Sequence, residues 1–369
     1  GIYDDFYIHD IYVRGDTMWT AEIYEGEFAV IDVKDKANPK TLARHSTPSN
    51  FCHNTWLSDN GKVLFTTDER GNAFVGAFDV SDLSDIRELD RYQTATSLNQ
   101  GVVPHNTFVL GSHLVTSYYT DGVTIVDATY PSNLIEVGYY DTSTSEGGGF
   151  SGCWGVYPYL PSGSILASDR QNGLYVLQSE YLKACYLHGN VSDAATGEAL
   201  TDVAITVKNQ AAASINTDFN GNFKTGVGAA GLYEITFVKY GYPVTTLTDV
   251  GMSNGEITEL NIKLEPIEGF KVNVQAVDAD TGAPIPNAEF RVEHPLRDIA
   301  QQSDESGIAV FDLVYAEDYQ VIVGKWGYQT EALQDIYLDS NTGTLTLPLK
   351  RGFYDDFTFA FGWTVKSSS

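Results

Sequence analysis

The chain has 369 residues, with 49 acidic side chains against 22 basic ones and a formal net charge of −27. That balance excludes a nucleic-acid partner, whose phosphates need a basic surface, and it opposes binding to an anionic membrane face. It suits a well-solvated exterior with some affinity for divalent cations.

The length calls for two or three domains. No apolar run reaches the roughly 18 residues that span a bilayer as a helix, so no direct membrane insertion is expected. No signal-peptide pattern opens the chain at Gly1, and an exported protein would already have lost its signal. Gly (34) and Tyr (23) are frequent, Asp and Asn are plentiful, and long amphipathic helical patterns are nearly absent. This composition predicts an all-β chain of short strands and tight turns. Cys52, Cys153 and Cys185 form no disulfide framework, being odd in number and sparse. Cys52 and Cys153 hold equivalent places, which leaves a bridge between them open.

From residue 7 to about residue 180 one unit recurs four times, at the roughly 45–50 residue period of a four-stranded propeller blade. The units begin at "HDIYV" (His9), "HNTWL" (His53), "HNTFV" (His105) and "WGVYP" (Trp154). Each reads as strand, tight turn, strand, then a polar loop and an apolar run. Those runs end at Asp32, Asp79 and Asp127, and at Gln178 in the fourth unit. Alternation of period two along the runs buries one face of each strand. Turns such as Asp59-Asn60-Gly61 and Pro161-Ser162-Gly163 supply the positive φ of a hairpin.

"FAVIDVKDKANPK" and "VTIVDATYPSN" resemble LVIVD-type repeats of extracellular bacterial β-propellers, including the choice-of-anchor B family. The resemblance covers the first half of the chain. It implies a β-propeller over residues 1–183, with four recognisable blades that are expected to be part of a larger propeller, to close in four, or to pair with another chain. The fourth unit departs from the pattern, with Trp154-Gly155 in place of His-Asn.

A second repeat follows with an offset of about 85 residues, the size of a small sandwich. "GNVSDAATGEALTDVAITV" aligns with "VNVQAVDADTGAPIPNAEFRV", and "LYEITFVKYGYPVTT" with "DYQVIVGKWGYQTEA". Thr196-Gly197 matches Thr281-Gly282, and Gly241-Tyr242 matches Gly327-Tyr328. The pattern resembles the carboxypeptidase regulatory-like family. That resemblance implies two tandem transthyretin-like Greek-key β-sandwiches, over residues 184–266 and 267–351, acting as spacer or binding modules and not as a peptidase. The tyrosine of each Gly-Tyr pair is expected to lay its ring over the sandwich edge. Residues 352–369, with Asp355-Asp356-Phe357 and Gly362-Trp363, read as the start of a further β module or a linker.

The candidate chemistry is histidine first. His9, His53 and His105 each stand where the innermost strand of a blade begins, near the central channel. Converging there with oxygen from Asp10, Asn54 or Asn106, they would bind a transition metal such as Zn²⁺, Cu²⁺ or Fe²⁺. The alternative is structural: each His-Asn pins one blade to the next through backbone hydrogen bonds. The loops at Thr66, Tyr118 and Ala167 also recur, and Asp68, Glu69, Asp121 and Asp169 are calcium candidates there. None has EF-hand spacing, and ordinary turn chemistry explains them as well. No nucleophile elbow, phosphate loop or zincin motif is present. Tyr118, Tyr119, Tyr139, Tyr140, Trp154, Tyr157 and Tyr159 would suit sugar stacking if they formed an exposed shelf.

The resemblances imply a secreted or cell-surface protein of the Bacteroidota type, non-catalytic, with a propeller binding head on a sandwich stalk. Adhesion or filament formation is the expected role. Its partners would be other surface proteins, glycans or copies of itself. The rival readings are a metal-dependent propeller hydrolase or oxidase using the channel histidines, and a carbohydrate-binding surface protein.

Overall fold

The computed structural model describes residues 2–3, 5–145, 147–313, 315–352 and 359. The expected module at Asp355-Asp356-Phe357 and Gly362-Trp363 lies outside them. Among the described residues every regular element is a strand. The chain is therefore all-β, as the turn-rich composition requires.

Four meander sheets come first. The first holds β1 (Asp10–Arg14), β2 (Thr17–Glu22), β3 (Glu27–Asp32) and β4 (Lys40–Ser46). The second holds β5 (Cys52–Leu57), β6 (Val63–Asp68), β7 (Val75–Asp79) and β8 (Arg87–Tyr92). The third holds β9 (Thr107–Leu110), β10 (His113–Ser117), β11 (Val123–Asp127) and β12 (Ile135–Tyr140). The fourth has only β13 (Cys153–Tyr157), β14 (Ser164–Asp169) and β15 (Gly173–Gln178). Gly61 and Gly163 sit at φ +74° and +76° in the predicted hairpin turns.

Consecutive sheets pack face to face. Trp19, Phe28 and Val30 meet Leu57, Leu64 and Phe78 between the first and second sheets. Phe65 and Val75 meet Val109, Leu114 and Val126 between the second and third. Val115 and Ile125 meet Val156, Ile165 and Ala167 between the third and fourth. Among the described residues no extensive strand packing brings the fourth sheet back onto the first, and no closed propeller is seen. The apolar–Asp ending of the third strands has a local cause. Asp32, Asp79 and Asp127 each accept a hydrogen bond from the backbone N–H two residues on, closing an Asx turn.

Two sandwiches follow with one topology. The first has β16 (Cys185–Asp193), β17 (Ala204–Val207), β18 (Gln210–Asn216), β19 (Asn222–Val227), β20 (Gly231–Val238), β21 (Thr245–Met252) and β22 (Ile257–Leu264). Its sheets run β19-β16-β22 and β18-β17-β20-β21. The second has β23 (Phe270–Asp278), β24 (Glu289–Glu293), β25 (Ile299–Gln302), β26 (Ile308–Leu313), β27 (Glu317–Gly324), β28 (Glu331–Leu338) and β29 (Thr344–Leu349). Its sheets run β26-β23-β29 and β25-β24-β27-β28, the same order strand for strand.

The repeated Asp and Tyr of the sandwich motif prove to be partners. Asp193 caps the backbone N–H of Ala195 and Thr196 and accepts the Tyr242 hydroxyl at 2.6 Å. Asp278 does the same for Asp280, Thr281 and Tyr328. The tyrosine of each Gly-Tyr pair is thus tied through its phenol to the motif's aspartate.

By internal contacts the chain divides into two compact units. One comprises residues 1–191, 204–236 and 246–262; the other comprises residues 192–203, 237–245 and 263–369. The four N-terminal sheets belong to the first and the whole second sandwich to the second. Cys52, Cys153 and Cys185 are all buried as free thiols, so the bridge left open between Cys52 and Cys153 is absent.

Candidate metal centre

The inner strands of the four sheets share a bulge. In the second sheet Cys52 pairs with Asp68 and Asn54 with Thr67, which leaves His53 as the extra residue. In the fourth, Cys153 pairs with Asp169 and Gly155 with Ser168, which leaves Trp154 extra. In the first, the His9 N–H donates to the Ala21 carbonyl although Ala21 is in register with Asp10. In the third, His105 N–H donates to Ser117 O while Ser117 N–H donates to Asn106 O. A bulge turns one side chain out of the alternating pattern. Here that side chain is the repeat's histidine or its tryptophan replacement.

The result is a ladder of rings. His9 and His53 have centroids 4.4 Å apart, His53 and His105 4.3 Å, and His105 and Trp154 5.2 Å. His9 is exposed, whereas His53 and His105 are buried. Glu69, one residue past the end of β6, comes alongside. Its carboxylate lies 3.6 Å from His53 Nε2 and 3.7 Å from His105 Nε2, and it accepts the Tyr119 hydroxyl at 2.6 Å. One ligand atom each from His9, His53 and Glu69 falls within 4.8 Å of the other two.

The protonation pattern follows from the surroundings. His53 Nδ1 lies 3.0 Å from the His105 carbonyl, which only accepts, so Nδ1 carries the hydrogen. Burial holds the His53 imidazole below its ordinary pKa, against the opposing pull of Glu69. Burial, helped by His53, pushes His105 down to about 3. Both are neutral near pH 7, and His53 then turns the bare lone pair of Nε2 toward Glu69.

The companion residues tie sheet to sheet. Asn54 donates to Asp10 Oδ2 at 2.9 Å and accepts the Thr107 N–H at 3.0 Å, so it spans three sheets. Asp10 spends its other oxygen on the Ile11 N–H. Asp10 therefore stands beside the ladder as a partner of Asn54.

Three of the calcium candidates are engaged by local hydrogen bonds. Asp68 is fully buried and accepts from the Thr47 hydroxyl and from the N–H groups of Ser49 and Phe51. Asp169 accepts from Thr142, Gln171 and Asn172. Asp121 accepts from the Ser97 hydroxyl. Glu69 alone of the four joins the histidines. Tyr119, read from sequence as part of a sugar shelf, is the phenol that orients it. Tyr118 is buried as well, while Tyr139, Tyr140, Trp154 and Tyr157 are exposed.

Comparison with known proteins bears on the sandwich half. Residues 186–265 match the carboxypeptidase regulatory-like domain family. The matched stretch is the first sandwich, and the second repeats the strand order of that regulatory-like domain. No curated protein matches the chain. Among solved structures, a TIE protein of Bacillus anthracis is 15% identical with a TM-score of 0.22, over 94% of this chain and 57% of that one. The chain thus spans little more than half the length of that protein. A streptococcal ancillary pilin is 11% identical over 76% of this chain and 82% of its own, with a TM-score of 0.30. A minor pilin of Streptococcus agalactiae is 14% identical over 50% of this chain and 99% of its own, with a TM-score of 0.28. At such scores none of these likenesses carries an argument about this chain. No helix among the described residues is long and apolar enough to cross a membrane.

Proposed function

We propose that the chain is a non-catalytic structural and interaction protein of the cell surface or extracellular space. In this reading the four sheets are blades of an LVIVD-like propeller that self-assembles, and the two sandwiches are a spacer. One observation carries the proposal. Each sheet repeats a cross-strand apolar row on the face toward the next: Tyr12–Trp19–Val30, then Trp56–Phe65–Ala77, then Phe108–Val115–Ile125. The centres of those three rows, Trp19, Phe65 and Val115, are buried beneath the following sheet. The fourth sheet repeats the row as Tyr157–Leu166–Val176, but Tyr157 is 48% exposed and Val176 65% exposed.

The surface that fits such a row is the leading face of another sheet of the same repeat. Leu57 and Val109 supply that face in the second and third sheets and are buried there. Their counterpart in the first sheet, Val13, is half exposed together with Ile11. A second copy of this chain therefore offers the missing face, and apolar burial drives the contact. Sandwiches in series would then hold the assembly at a fixed distance more firmly than a flexible linker would.

The test is solution mass by sedimentation at micromolar concentration. Wild type should self-associate. The double substitution Leu166→Glu with Val176→Glu should give a monomer of unchanged thermal stability. A wild-type monomer at tens of micromolar (on the order of the concentrations at which such contacts hold) would end the proposal. Ester or lactone turnover abolished by Glu69→Gln would favour the enzyme instead.

A further inference from the structure

We propose that His9, His53 and Glu69 bind a divalent transition-metal ion of the Zn²⁺ class, clasping the first two sheets at their inner edge. His9 leads into the first sheet, while His53 lies in β5 and Glu69 directly follows β6, the first two strands of the second. Their ligand atoms already lie within 4.8 Å of one another. A zinc ion bonded at about 2.0–2.2 Å to nitrogen and oxygen draws its donors to roughly 3–4 Å apart. Small rotations of an exposed His9 and of a carboxylate on a loop close that difference.

The surroundings are those of a supported site. His53 donates Nδ1–H to the His105 carbonyl, which fixes its tautomer and aims the Nε2 lone pair inward. Tyr119 donates to Glu69 Oε1, which leaves Oε2 as the oxygen nearest His53 Nε2. That oxygen and the imidazole nitrogen face each other at 3.6 Å as two lone-pair donors without a hydrogen between them. A cation placed between them satisfies both. The donors are two nitrogens and an oxygen, with no thiolate in the set, which selects Zn²⁺, Cu²⁺ or Ni²⁺ over softer ions and over calcium. Because His9 is exposed, a fourth coordination position opens to solvent.

Co²⁺, which reports coordination in its visible spectrum, and Zn²⁺ are the probes. The full chain, first stripped with chelator, should take up about one Co²⁺ with visible bands, and Zn²⁺ should displace it. Glu69→Gln, and separately His9→Ala, should each weaken uptake at least about tenfold. His294→Gln, in the second sandwich, should leave it unchanged. His9→Ala removes an exposed side chain, so its reading stands even where a substitution at buried His53 fails to fold. Zn²⁺ should also raise the melting temperature of wild type and not that of Glu69→Gln. Uptake without stoichiometry, or uptake that survives both substitutions, would overturn the assignment.

Discussion

At the residue scale, Asp278 shows how one carboxylate holds a motif together. The Arg351 guanidinium holds the Asp278 carboxyl well below the usual carboxylate range, and the N–H and hydroxyl of Thr281 and the phenol of Tyr328 add to the effect. A depressed folded-state pKa means that the unfolded chain takes up the proton first as pH falls. The stabilisation is complete above the unfolded value, about pH 4. It is lost progressively as pH drops below that toward the folded value. Asp278→Asn should therefore lower the urea midpoint at pH 7, and its deficit relative to wild type should shrink between about pH 4 and pH 2. A deficit that stayed constant over that range would assign the effect to shape and not to charge. The Asp and Tyr were legible as a recurring pair in the sequence, but their bond was not, because it joins positions 50 residues apart. The histidine ladder divides the same way. Recurrence marks His9, His53 and His105, while Glu69 reads in the sequence as a calcium candidate with Asp68, Asp121 and Asp169 and lies beside His9 and His53 in the fold. A simple hairpin sets Glu69 beside Phe51, and indeed the Glu69 N–H donates to the Phe51 carbonyl. The bulge at His53 is what turns that imidazole toward Glu69. One extra residue in an inner strand leaves no mark in the alternation, since the apolar run begins only after it.

At the scale of elements, the sheets were readable because each hairpin carries its own turn chemistry and the third strands of the first three sheets each carry an Asx cap. Closely packed loops are less readable, and Gly122 illustrates the reason. It follows the Tyr118 loop at φ +78°, and a Cβ there would lie 2.2 Å from the Tyr140 carbonyl oxygen and 2.6 Å from the Thr142 nitrogen. Gly111, in the preceding hairpin turn, has φ +61° and open space around it. Both positions charge an alanine about 1–2 kcal/mol for the left-handed backbone, but only Gly122 adds a collision with backbone that cannot swing away. Gly111→Ala should thus cost about 1 kcal/mol, and Gly122→Ala at least twice that, in denaturant titrations of the full chain. Equal costs would mean that the segment from Tyr140 to Thr142 yields. The sequence displays both residues as loop glycines of one kind; the difference comes from the neighbouring strand.

At the scale of the whole molecule, the repeats mark an all-β chain of recurring strand units. They did not predict how the chain divides into units, because the first sandwich contributes segments to both. The cores are separate in sequence. The second sandwich is built on Val272, Val274, Phe290, Phe311, Val321 and Leu349, whereas Leu64, Phe28 and Phe78 lie between the first two sheets. Small, well-packed cores unfold cooperatively, and a chain with more than one of them need not unfold in one step. Calorimetry should therefore resolve at least two transitions. Phe311 is fully buried, and Phe311→Ala should cost about 3–5 kcal/mol and lower one transition. Leu64, equally buried, should cost about 2–5 kcal/mol as Leu64→Ala and lower the other. If Zn²⁺ clasps the first two sheets, it should raise only the transition that Leu64→Ala lowers. A single transition moved by both substitutions would show that the two units melt as one body, and the added metal would then shift that one transition for the entire chain.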